Sequence, residues 1–396
     1  MHPNPVVAYV GTDAAKLAEL FAARFAEMRQ QGFEVVAFTA PGAGVVALEE
    51  LGVEVVPIPA ESMADPTRQA ATWVLLASAF IERRVLLVHS QSLSLHLVAT
   101  SAARAASVPV VCASVHTHGR EVLGARGPWV ERLGERGLVA WFRAVAALVD
   151  AYIVQHRGEE EFAREAVGVP AEKLHRIEAL VGVDVRELSA TRAEVPSQEE
   201  ARARLGLAAG ARWVGTFGRV GLPEASAFIG LVDRVQREDP TVGWAIGASG
   251  ALAEALAEPL RARRRDGRLI ALLPSRLARE RASLLSAVDV VALPWGGHGA
   301  GLLAMEAAAM RRPVVAFDRA DTRDVVVEGQ TGVLCGVGDA RGFAEAVVRL
   351  ARSERLRRDM GTAARARAEQ RFDAEQGQLA LFALYDGLIR QKVPGV

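Results

Sequence analysis

The chain has 396 residues, which exceeds the size of one ordinary hydrophobic core, so two domains are expected. A hydrophobic content of 51% with 24% charged residues is typical of a soluble, well-buried globular protein. The formal net charge is +0 at pH 7, which excludes a global field that would favour nucleic acid or an anionic membrane. We therefore expect no nucleic-acid partner.

The N-terminus and the cysteines favour a cytoplasmic protein. The first residues, MHPNPVVAYVG, contain neither a basic region nor a long apolar stretch, so no signal peptide is predicted. The longest apolar run, 73–81, is far shorter than the roughly 20 residues that span a bilayer. Cys112 and Cys335 lie far apart in sequence, and we expect both thiols to be reduced and buried.

Short apolar strands alternate with alanine-rich helical stretches along the first half. The first strand, 6–10, is followed by Gly11 and by a helix that runs to about Gln31 and ends at Gly32. Further strands are predicted at 33–38, 53–58, 85–89, 110–116 and 151–154. These runs are apolar on both faces, as parallel strands covered by helices must be. The alternation predicts a doubly wound α/β sheet over 1–185.

A polar segment with a proline, 186–200, separates this half from a second series of strands. The second series is predicted at 213–217, 244–246, 269–272, 288–293 and 313–317. We interpret 186–200 as a linker and 201–372 as a second doubly wound domain. The last segment, 373–396, is predicted to be an amphipathic helix that packs across the domain junction.

A glycine-rich loop precedes an apolar helical run between Leu293 and Val315. Gly296, Gly297 and Gly299 leave the backbone bare in this loop, and Glu306 follows about one turn into the helix. Unpaired amides and the helix dipole favour an anion at such a helix N-terminus. The pattern indicates a nucleotide-sugar pocket; the alternative interpretation is a glycine-rich turn that only joins a strand to a helix.

Eight short blocks, in order along the chain, carry a family resemblance. They are SVH at 114–116, GVD at 182–184, TFGRV at 216–220, AIGASG at 245–250, AVDVVALP at 287–294, HGAG with EA between 298 and 307, PVVA at 313–316, and the segment from Asp324 to the EGQTG ending at Gly332. The chain resembles the retaining glycosyltransferases of the GT-B fold, in family 4 (group 1). The resemblance implies two Rossmann-like domains that face each other across a cleft.

The resemblance also implies roles in breaking a sugar–diphosphate bond, which leaves negative charge on the nucleotide. Arg219, after the strand-ending Gly218, would bind the diphosphate bidentately. Glu306 would hold the ribose hydroxyls. His116, or His118 two residues later, would face the reacting sugar. The diphosphate would also be held by the backbone amides of Gly299, Ala300, Gly301 and Leu302.

The sequence departs from the family pattern at two positions. The family lysine that follows the arginine is replaced by Glu224 or Ala225, and the first glutamate of the family pair is His298, which we include among the catalytic candidates. Gly11 and Asp324 are further cleft candidates, and His89 is interpreted as structural or cleft-lining. No Asp-x-Asp triplet occurs in the sequence, so neither a metal nor another cofactor is expected.

These observations predict a glycosyltransferase that uses a nucleotide sugar as donor and acts with retention. The acceptor would be a cell-surface glycan, a glycolipid or a small molecule. Two alternatives remain: a catalytically degenerate nucleotide-sugar-binding protein and a nucleotide-sugar epimerase of the same fold. The segment 119–151 mixes arginines with tryptophans, which predicts either peripheral membrane contact with a lipid-linked acceptor or a helix with a solvated basic face and a packed aromatic face.

Overall fold

The computed structural model describes residues 4–42, 44–59, 66–115, 128–189, 195–218, 225–248, 251–265, 269–272, 281–295 and 300–393. The chain divides into two compact units. The first unit contains residues 1–181 and 377–396, and the second contains residues 182–376. The described residues of the predicted linker, 186–189 and 195–200, therefore belong to the second unit. Two hydrogen bonds tie this part of the chain to the second unit: the Val183 amide donates to the Phe372 carbonyl at 2.9 Å, and the Arg365 side chain donates to the Leu188 carbonyl at 2.7 Å.

Parallel strands form the centre of the first unit. Within the described residues its sheet has the order β3-β2-β1-β4-β5-β6-β7. The strands are β1 (Val6–Val10), β2 (Glu34–Thr39), β3 (Glu54–Pro57), β4 (Leu87–Ser90), β5 (Val110–Val115), β6 (Ala151–Val154) and β7 (Leu174–Arg176). The helices are α1 (Ala14–Gln30), α2 (Val45–Glu50), α3 (Pro66–Glu82), α4 (His96–Ala105), α5 (Pro128–Leu148) and α6 (Arg157–Glu161).

The second unit repeats this architecture. For the part of it that the structure describes, the parallel sheet has the order β10-β9-β8-β11-β12-β13. Its strands are β8 (Arg212–Gly218), β9 (Val242–Ala248), β10 (Ile270–Leu272), β11 (Val290–Leu293), β12 (Val314–Phe317) and β13 (Gly332–Cys335). Its helices are α7 (Gln198–Leu205), α8 (Ala225–Glu238), α9 (Ala251–Arg265), α10 (Arg281–Ala287), α11 (Ala300–Ala309), α12 (Ala320–Arg323), α13 (Ala340–Arg352) and α14 (Glu354–Arg371). The final helix is α15 (Ala374–Lys392).

Each sheet is buried on both faces, as the apolar strands predict. In β1, Val6, Ala8 and Val10 belong to one hydrophobic cluster, whereas Val7 and Tyr9 belong to the cluster on the opposite face. Two further clusters cover the faces of the second sheet. The predicted α/β class with two doubly wound sheets is therefore confirmed.

Helix α1 ends as the sequence predicts. Gly32 has φ +87°, its amide donates to the Arg29 carbonyl, and the Phe33 amide donates to the Met28 carbonyl. This pair of bonds is the Schellman motif, in which a glycine takes the left-handed conformation at the helix end.

The last helix contributes its apolar face to the first unit. Leu381, Tyr385 and Ile389 recur every four residues and are buried in the same cluster as Val7 and Tyr9. Residues from Gly377 on belong to the first unit, although they follow the second unit in sequence. That this helix crosses the domain junction stays a prediction. No helix in the described ranges is both long and apolar enough to cross a membrane.

Candidate functional site

The strand orders locate the candidate ligand sites. In both units the order reverses between the first and fourth strands, which are β1 and β4 in one sheet and β8 and β11 in the other. Ligands of doubly wound sheets bind at the carboxyl ends of the strands, at this point of reversal. The residues that follow β1, β4, β8 and β11 therefore lie at the candidate ligand sites.

In the first unit the loops after β1 and β4 are bonded to each other. The Thr12 amide donates to the Ser92 hydroxyl at 2.8 Å, and the Gln91 amide donates to the Val10 carbonyl at 2.8 Å. Gly11, a predicted cleft candidate, is buried, and its amide donates to the Phe38 carbonyl at 2.9 Å. Its N–H is thus used within the protein.

A buried polar network lies beside the carboxyl end of β5. The His89 ring bonds to the Ser114 hydroxyl at 2.6 Å through Nε2 and to the Tyr385 hydroxyl through Nδ1. The Tyr385 hydroxyl also lies 3.1 Å from that of Tyr9. Burial raises the pKa of both tyrosines, so both hydroxyls stay protonated and can donate. His89 is fully buried, which agrees with a structural role and not with a cleft-lining one.

A second buried histidine lies close to the same strand end. His96 begins α4, its Nδ1 lies 2.7 Å from the Ser90 hydroxyl, and its ring stacks on Trp141. Burial lowers the pKa of His96 to about 3, so the ring is neutral. Sequence analysis did not single out His96, because a helix-starting histidine matches no functional motif.

The aromatic side chains of α5 that the structure describes pack inside the first unit. Trp141 is half-buried and Phe142 is fully buried against the first hydrophobic cluster. The Arg143 side chain donates to the Val167 carbonyl at 3.2 Å. This part of the segment 119–151 thus has a packed aromatic face.

In the second unit, helix α11 begins at the carboxyl edge of the sheet. It follows β11, which pairs with β8, and β8 ends at Gly218. Ala300 and Gly301 are buried and Leu302 is half-buried. A Cβ on Gly301 would lie 3.0 Å from the Asp321 carbonyl oxygen, so a glycine lets the first turn of α11 approach α12 closely. The predicted strand before residues 296–299 and the predicted helix after them are therefore both present.

Glu306 lies about two turns into α11 and is almost fully buried. Its Oε1 accepts a hydrogen bond from the Arg281 guanidinium at 2.5 Å. The Arg281 side chain is 40% exposed and the Glu306 side chain 8% exposed. Arg281 was not identified from sequence, since it belongs to no family block and only the fold brings α10 to α11.

The remaining candidates divide into two groups. Asp324 is half-buried at the end of α12, and its carbonyl accepts from the Arg367 guanidinium at 2.6 Å. The other group lies outside the described residues and comprises His116, His118, Arg219, Glu224, His298 and Gly299. Their roles stay predictions. Within the described ranges no three His, Cys, Asp or Glu side chains group together as metal ligands would.

Comparison with protein families gives two matches, one for most of each sheet. Residues 21–179 match the glycosyl transferase 4-like domain, and residues 211–353 match the glycosyl transferases group 1. Together these matches include most strands and helices of both units.

Curated proteins and solved structures give similar results. A D-inositol 3-phosphate glycosyltransferase of Xylanimonas cellulosilytica is 30% identical over 63% of this chain and 60% of its own length. An N-acetyl-alpha-D-glucosaminyl L-malate synthase of Bacillus anthracis is 31% identical over 29% of this chain and 30% of its own length. The chain thus covers less than two thirds of either relative.

Anabaena HepE, crystallised with UDP and glucose, has a TM-score of 0.75 at 18% identity and matches 97% of this chain and 100% of its own. At this identity the likeness shows the fold alone. With both domain models matched in order, the chain belongs to the group 1, family 4-like glycosyltransferases and has their GT-B fold.

Proposed function

We propose that the protein transfers a glycosyl group from a nucleoside diphosphate sugar to an acceptor. The observation that carries the proposal is the geometry of α11, which begins at the carboxyl edge of the second sheet with buried small residues and holds a buried carboxylate in its second turn. Amides at a helix start suit a diphosphate. A carboxylate about 9 Å further along the helix suits the hydroxyls of a ribose.

The chemistry proposed here stabilises the negative charge that develops on the leaving diphosphate. Arg219, which follows Gly218 in sequence, is proposed to bind that charge, with the amides of Gly299, Ala300, Gly301 and Leu302 on the other side. A divalent ion is not part of the proposal, because the sequence has no Asp-x-Asp triplet. Retention through a front-face route, with the leaving phosphate as base, follows from the family resemblance. His116 and His298 are proposed to face the donor sugar.

The names of the two curated relatives favour glycosyl transfer over mere nucleotide-sugar binding or epimerisation. One is a D-inositol 3-phosphate glycosyltransferase, and the other is an N-acetyl-alpha-D-glucosaminyl L-malate synthase. The partner proposed for the second unit is a nucleotide sugar, as in the complex of HepE with UDP and glucose. A cell-surface glycan, a glycolipid or a small molecule is proposed as acceptor.

A panel of nucleotide sugars tests this proposal. The protein is incubated with each donor and a mixture of alcohol and glycoside acceptors, with and without a metal chelator. Consumption of one donor with formation of a glycoside, in the presence of the chelator as well, is expected. Binding without consumption would show a degenerate binding protein, and an isomerised sugar would show an epimerase; either result would overturn the proposal.

A further inference from the structure

The strongest unassigned feature of the second unit is the ion pair between Arg281 and Glu306. The carboxylate belongs to a helix whose other residues are Ala, Gly, Leu and Met. An almost fully buried carboxylate costs several kcal/mol unless a positive group compensates it. Arg281 supplies that group at 2.5 Å, and its own side chain stays 40% exposed. The pair therefore lies at the border between the core and solvent.

The geometry points to Arg281 as a positioning residue for nucleoside recognition, an inference that rests on the proposed function. We propose that its guanidinium fixes the Glu306 carboxylate, so that the carboxylate accepts hydrogen bonds from the ribose hydroxyls of a ribonucleoside diphosphate. Hydrogen bonds to a charged acceptor are stronger than neutral ones, provided that the acceptor is held in place. Without the guanidinium, the carboxylate loses this hydrogen bond and the positive charge beside it.

Binding of ribose and deoxyribose ligands separates this role from a structural one. UDP, ADP and GDP are titrated calorimetrically, and the tightest of them is compared with its 2′-deoxy form. In the wild-type protein the ribose form is expected to bind about tenfold more tightly, which is the value of one good hydrogen bond. Arg281→Met is expected to weaken the ribose form about tenfold and to leave the affinity of the deoxy form within about twofold.

Three further variants complete the test. Glu306→Gln and the double variant with Arg281→Met are expected to lose the same preference, so that the two effects do not add. Arg281→Lys keeps the positive charge and is expected to retain most of the ribose preference. The matched control is Arg263→Met, which breaks an arginine–carboxylate pair with Asp233 in the same unit and is expected to change neither affinity.

The outcomes distinguish the two levels of the proposal. Equal weakening of ribose and deoxyribose ligands by Arg281→Met would show a structural role and overturn the inference, as would unchanged or tighter ribose binding. In both cases the proposed function would stand. Failure of the wild-type protein to bind any of the three nucleoside diphosphates would overturn the proposed function together with the inference.

Discussion

At position 306 a carboxylate lies in an almost wholly apolar helix, and the residue that compensates it is 25 positions earlier in the chain. The spacing between position 298 and Glu306 identified the carboxylate from sequence. Its partner could not be identified in the same way, because a salt bridge between two helices depends on how those helices pack. A sequence pattern thus indicates single residues more readily than the pairs that they form.

Arg219 is the residue whose loss should most reduce turnover. Arg219→Ala is expected to lower kcat/KM by about 10²-fold or more, because one donor to a developing anion contributes roughly 3 kcal/mol. Steady-state kinetics with the donor found in the panel provide the measurement. Arg341→Ala is the matched control, since Arg341 is 80% exposed in the same unit and pairs only with Glu345 among the ion pairs the structure describes. Turnover of Arg219→Ala within tenfold of wild type would contradict the assigned role.

Because His96 is buried and neutral, we expect the stability of the protein to decrease as the pH is lowered. Its pKa is about 3 in the folded protein and 6.5 for an exposed ring, so between these pH values the unfolded chain binds the extra proton. The unfolding free energy should therefore decrease on acidification below about pH 6.5, by up to about 1.4 kcal/mol per pH unit. Urea unfolding at several pH values measures this slope. In His96→Gln the slope should be shallower; an identical slope would contradict the prediction.

Helix α15 packs closely against the backbone of the first unit at one of its two glycines. A Cβ on Gly377 would lie 1.9 Å from the Ala179 carbonyl oxygen, whereas Gly387 in the same helix has nothing within 4 Å. The first glycine therefore permits contact between backbones, and the second is replaceable. The hydrophobic pattern of α15 does not distinguish the two.

Alanine substitutions at these glycines should have opposite effects. Gly377→Ala is expected to destabilise the protein by about 2 kcal/mol or more, because the helix must move away from Ala179. Gly387→Ala is expected to stabilise it by up to about 1 kcal/mol, since alanine is the better helix former. Thermal unfolding of both variants provides the comparison. A destabilised Gly387→Ala together with an unaffected Gly377→Ala would show that the packing described here is wrong.

Two edge strands were not predicted from sequence. Strand β7 has three residues, Leu174–Arg176, two of which are polar, and β13 has four residues, Gly332–Cys335, directly after a turn. Both lie at the edges of their sheets, where a strand is short and pairs on one side only. The central strands were predicted because burial on both faces requires an apolar run.

At the scale of the whole molecule, the chain contains two units that each have their own sheet and their own core on both faces. The proposed nucleotide site uses α10, α11 and the end of β8, all of which belong to the second unit. A nucleoside diphosphate should therefore protect one unit more than the other.

Hydrogen exchange tests this difference between the units. With saturating UDP, ADP or GDP, whichever raises the melting temperature most, backbone amides of α10 and α11 should exchange more slowly, because ligand binding disfavours local opening. Amides of β2 and β3, the first two strands in the order of the first sheet, serve as the internal control and should be unaffected. Protection confined to the first unit would contradict a nucleotide site at α11.

The sequence by itself determined the fold class, most strands and the helix that follows the glycine-rich segment, because burial on both sheet faces and an apolar helical run each produce a pattern in consecutive residues. Only the tertiary structure decided that residues 186–189 and 195–200 pack within the second unit and that Gly11 uses its amide internally. The same holds for the pairing of Arg281 with Glu306. These are contacts between segments distant in sequence, and no local pattern encodes which distant group a side chain or a backbone amide meets.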